Sequence, residues 1–88
     1  MDITVFFGSK LAELTGQYEY GCVALVKLAI QDAGKDPAHI SFHEMQDVFK
    51  VQLLKRLERI KAKDPAQVAM KMQAILNAQQ SLFTMSAR

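Results

Sequence analysis

Ser41-Phe42-His43-Glu44 constrains the fold more than any other stretch of this 88-residue chain. A serine followed three residues later by glutamate is a capping box. The hydroxyl accepts from an unpaired amide of the first helical turn, and the carboxylate reaches back to the serine amide. Beyond it Phe42, Met45, Phe49, Leu53, Leu57 and Ile60 recur at helical intervals, so the spacing predicts a helix over 42–62. Asp64-Pro65 then restarts the chain, with aspartate at the N-cap and proline at the first helical position, where its missing amide costs nothing. Val68, Met72, Ile75, Leu76, Gln79, Leu82 and Phe83 form the stripe of a helix over 65–84. So short a link between the two implies a C-terminal antiparallel hairpin.

The first half is less constrained. Residues 21–30 are apolar nearly all round, with Lys27 the only charge, a pattern shared by buried strands and buried helices. Length favours a helix over 18–33, stopped by Gly34 and by Pro37. Ile3, Phe6, Phe7, Leu11 and Leu14 suit a short helix over 3–14, whereas Ile3-Thr4-Val5-Phe6-Phe7 also suits an edge strand. The expected fold is a single all-α domain over 1–88, a small three- to four-helix bundle, with α+β as the alternative. Its core is expected to hold Phe7, Leu25, Leu28, Phe49, Leu53, Leu57, Ile60, Met72, Ile75 and Leu76. No apolar run approaches the roughly 18 residues of a membrane span. The opening Met1-Asp2-Ile3 lacks the basic start of a secretory signal, so a cytoplasmic protein is expected.

Little in the chain suggests catalysis. Cys22 is alone, which excludes an internal disulfide or a cysteine-built zinc site, and it reads as a small buried hydrophobe. His39 and His43 are four apart, but the Ser41 cap between them leaves His39 outside the helix. No phosphate-binding glycine loop and no nucleophile–base pairing stands out, so no enzyme activity, metal or cofactor is expected. Tyr18 and Tyr20 lie among acids, which argues against stacking on nucleic-acid bases and for packing on the core.

Charge is divided along the chain. Residues 1–49 carry three lysines and seven acids, and residues 50–88 carry eight Lys or Arg and two acids. On an ideal helix Lys55, Arg56, Arg59 and Lys63 fall in one basic stripe. Such a stripe suits a phosphate backbone, making nucleic-acid binding the alternative function. It equally suits the acidic half of the same fold.

A second surface signal favours a protein partner. Val48, Val51 and Leu54 fall outside the main apolar arc of the 42–62 helix, and the steps 45–49–53–57 do not keep a heptad. Met70 and Met85 lie in a final helix that also carries five glutamines or asparagines and a single internal charge, Lys71. Flexible methionines adapt to partner surfaces. Val48, Val51, Leu54, Met70 and Met85 are therefore the candidate partner-binding residues. Asp64-Pro65-Ala66 followed by Gln73, Asn77-Ala78-Gln79 and an apolar tail resembles the C-terminal helices of type III secretion needle and inner-rod subunits. That resemblance implies self-assembly through a buried C-terminal helix. Residues 3–16 resemble the first strand and helix of ubiquitin-like sulfur carriers, which act through a C-terminal Gly-Gly tail; here no glycine follows Gly34. The expected function is a non-enzymatic helical module that docks on another protein or forms a homo-oligomer.

Overall fold

The computed structural model describes residues 2–86, and side chains as far as Phe83. Asp2 opens the first helix, its carboxylate accepting from the Thr4 amide at 3.0 Å and the Thr4 hydroxyl at 2.6 Å. That cap makes Ile3–Thr15 a helix, α1, and overturns the edge strand over 3–7 together with the sulfur-carrier fold it implied. Its buried stripe of Ile3, Thr4, Phe7, Gly8 and Leu11 has a ready partner in α2, Glu19–Asp32, which buries Cys22, Leu25, Val26, Ala29 and Ile30. Among the described residues there is no strand, and the architecture is all-α. No helix among them is long and apolar enough to cross a membrane.

Glycine ends both helices in the left-handed conformation, with φ of 71° at Gly16 and 74° at Gly34. After α2 the Gly34 amide donates to Gln31 and the Lys35 amide to Ile30, the paired bonds that close a helix C-terminus.

The capping box forms as its residues require. The Glu44 amide donates to Ser41 Oγ at 3.2 Å, and the Ser41 amide to Glu44 Oε1 at 2.9 Å. The helix it starts is not uniform. α3, Phe42–Asp47, passes into a π turn at Val48–Gln52 before α4, Leu53–Arg59. There the Leu53 amide donates to the Val48 carbonyl five residues back. Residues spaced by four drift around an α-helix of 3.6 residues per turn, and one wider turn takes up the drift. Met45, Phe49, Leu53 and Leu57 thus share the core face, and Val48 joins them with 1% exposure. Val48 is therefore a core residue and not a partner-facing one.

α5, Pro65–Ala78, returns antiparallel along the rod formed by α3, the π turn and α4, its far end tied to the start of that rod by Gln46 Nε2 donating to Asn77 Oδ1 at 3.0 Å. The expected C-terminal hairpin is present, but the expected helix over 65–84 is broken. Gln79, at φ −114° and ψ 29°, separates α5 from α6, Gln80–Ser86. The break lets Phe83 fold back, stacked on Phe7 at 6.2 Å and edge-on to Phe42 at 5.7 Å. Phe7 also meets Phe49 edge-on at 5.2 Å, so one aromatic cluster joins α1, the rod and α6. Two expected core residues are exposed instead of buried. Leu28 lies off the α2 stripe and is 40% exposed, and Ile60 is 51% exposed because the helix ends before it; Ile75 is half-buried.

Candidate docking surface

The basic stripe drawn on an ideal helix is dismantled by the way α4 ends and by one ion pair. Arg56 is committed to Asp32 of α2, with Nε to Oδ2 at 2.6 Å and Nη2 to Oδ1 at 2.8 Å. This two-pronged contact, and the nearby charges of Arg56 and Arg59, hold the Asp32 carboxyl below its ordinary pKa. At the C-terminus of α4 the Lys61 amide donates to Glu58 and the Ala62 amide to Leu57. Lys61 takes the left-handed conformation there, φ 57°, in the position that glycine fills after α2. The chain turns away, so Lys63 leaves the line of Lys55 and Arg59 for the linker. Lys55 and Arg59 remain exposed on α4. Asp64 is also left-handed, φ 50°, and its side chain caps nothing, contrary to the N-cap expected of it; Pro65 alone fits the helix start.

Two adjoining depressions flank that linker. An apolar groove of about 180 Å³ runs between α2 and α4, lined by Leu11, Cys22, Leu25 and Leu57, with Tyr18 and Ile60 among its walls. Its floor is buried, whereas Tyr18 is 73% and Ile60 51% exposed, so a large apolar rim stands open to solvent. Beside it a cavity of about 560 Å³ is lined by Lys61, Lys63 and Lys71, with Gln17, Gln67 and a single acid, Asp64. Thr15 and Gln17 line both.

The expected partner residues are not gathered at this place. Val51, 40% exposed, and Met70, 59% exposed, do face solvent, Met70 on the side of α5 away from its Val68–Met72 stripe. Leu54 is half-buried against the core. The side chain of Met85 lies outside the described residues. Sequence reasoning missed Tyr18 and Ile60, assigning both to the core. The available signal was positional, since Tyr18 precedes the apolar run of α2 and Ile60 is the last residue before a lysine-rich break. Tyr18 and Tyr20 lie with ring centroids 5.4 Å apart, both exposed.

The other perturbed groups have structural causes. Asp2 is lowered by the Thr4 hydroxyl, Asp36 by the Ala38 amide and His39, and Glu44 by the Ser41 amide and Lys35. Burial pushes the Cys22 thiol up, the direction opposite to that of a reactive thiolate. His39 pairs with Asp36 at 2.9 Å and His43 with Gln46 at 3.3 Å, both exposed. Among the described residues no three His, Cys, Asp or Glu side chains converge as a metal site. Compared with protein families, characterised proteins and solved structures, the chain matches none.

Proposed function

We propose that this chain is a protein-docking module without catalytic activity, which receives an apolar side chain of a partner polypeptide in the groove between α2 and α4. The observation that carries this reading is the open rim of Tyr18 and Ile60 over the buried floor of Leu25 and Leu57. Interface energy concentrates where an apolar anchor fills a pocket and is shielded from water by the residues around it, and tyrosine is enriched at such interfaces. Caps, turns and ion pairs account for the shifted carboxylates without acid–base chemistry.

Panning a random peptide library on the intact chain tests the reading, with the Tyr18→Ala/Ile60→Ser double variant as counter-target. Both residues are exposed, so the variant keeps the fold, which circular dichroism checks. Peptides are expected to be enriched on the native chain and lost on the variant. Equal recovery on both would refute the groove as a docking site. Sedimentation at high concentration tests whether the occupant is a second copy: a dimer dissociated by the double variant would replace the separate partner with self-association. The competing nucleic-acid reading keeps Lys55 and Arg59 but loses Arg56 to Asp32. Salt-sensitive binding of a DNA or RNA strand, unaffected by the double variant, would favour it instead.

A further inference from the structure

The groove does not end in neutral surface. Past Thr15 and Gln17 it meets the cavity lined by Lys61, Lys63 and Lys71, all exposed. None of the three has an ion-pair partner among the described residues; Lys27, Lys50, Lys55 and Arg59 have none either, but only Lys61, Lys63 and Lys71 gather in this one lining. Asp64 is the only acid in the lining, so the cavity keeps an unbalanced positive charge. Resting on the docking reading above, we infer that the partner is an acidic segment: its apolar anchor sits in the α2–α4 groove and the adjoining Asp or Glu side chains face Lys61, Lys63 and Lys71.

Lys61 carries a second observation. Helices α1 and α2 end on left-handed glycines, Gly16 and Gly34, whereas the same turn after α4 is made by a lysine at φ 57°. That conformation crowds any L side chain, and glycine would relieve it. A lysine there adds a cation to the cavity lining, one residue past Ile60 of the groove rim, at the expense of the local backbone. Charge complementarity of this kind sets which partner is accepted and how fast it arrives.

The peptides enriched in the selection supply the probe. They are expected to carry Asp or Glu beside a leucine or aromatic anchor, and a labelled representative should bind less tightly as salt rises from about 0.05 to about 0.5 M. The Lys61→Gly/Lys63→Gln/Lys71→Gln variant should weaken it about tenfold, since three exposed pairs are each worth a small factor. Lys61→Gly alone should weaken binding by a smaller factor while its Tm stays level or rises. Lys71→Gln, on the surface of α5, gives a second single-site measure. Enriched peptides with no acidic excess, bound equally by the triple variant, would overturn the acidic partner and leave the docking reading standing. No enrichment over Tyr18→Ala/Ile60→Ser would remove both.

Discussion

At Gly8 the first two helices approach within the space of one methyl group. A Cβ built there would lie 2.5 Å from Val23 Cγ2 and 2.6 Å from Val23 Cα, so a flexible side chain cannot simply step aside. Gly21, in the first turn of α2, has nothing within 4 Å of the same added atom and no positive φ. The same substitution should therefore act with opposite sign at the two sites. Gly21→Ala is expected to stabilise by about 0.5–1 kcal/mol through helix propensity and a less free unfolded chain. Gly8→Ala gains the same propensity but overpacks the seam, which costs about 1–3 kcal/mol, and its Tm should fall by several degrees. Thermal melts of the two variants decide it, and a rise in Tm for Gly8→Ala would mean that the seam relaxes freely. Neither role was legible in the sequence. A glycine in an apolar run reads as a breaker, and what faces it depends on a helix crossing that no local pattern encodes.

At the scale of the element, the rod over 42–59 holds both the clearest success of sequence reading and its clearest failure. The capping box at Ser41 was legible because all its atoms lie within four residues. The four-residue steps 45–49–53–57 were legible too, as a departure from heptad spacing, but an ideal 100° wheel then placed Val48 and Val51 among the exposed charges. Val48 opens the π turn three residues after Met45 and is buried beside it, whereas Val51 within the turn is left on the surface. Removing one residue from that turn, for instance the exposed Lys50, changes the steps to four, three and four, the spacing of an ordinary α-helix. The chain lacking Lys50 is expected to fold with native helical content and a cooperative melt. Deleting Lys55 instead, beyond the turn, would rotate Leu57 off the core face. That chain should melt well below the first, and the reverse order would show that the π turn is not the adjustable part of the rod.

For the molecule as a whole, the divided charge was legible and its destination only partly so. Arg56 meets the acidic half at Asp32, while Lys61 and Lys63 turn away because α4 closes on a left-handed residue that the sequence, having no glycine there, did not announce. The carboxylates of Asp2, Asp32, Asp36 and Glu44 are all lowered in the fold. A lowered carboxylate means that the folded chain holds fewer protons than the unfolded chain near its titration. Its stabilising effect is present above the unfolded pKa and disappears as the pH falls through the folded one. Thermal midpoints are therefore expected to be steady near neutrality and to drop below about pH 4, the ordinary range of Asp and Glu. A Tm that stays flat down to about pH 3 would contradict these pairings.

Cys22 forms part of the groove floor at 4% exposure, within the first turns of α2, and burial pushes its thiol pKa up. An alkylating reagent reaches such a sulfur only while the start of α2 is transiently open, and closure competes with reaction. At high reagent concentration the labelling rate becomes the opening rate of the groove, and at low concentration it reports the open fraction. A segment seated over Cys22 must leave before the sulfur can react, so the same clock reads the residence time of a partner, using the one thiol the chain already has.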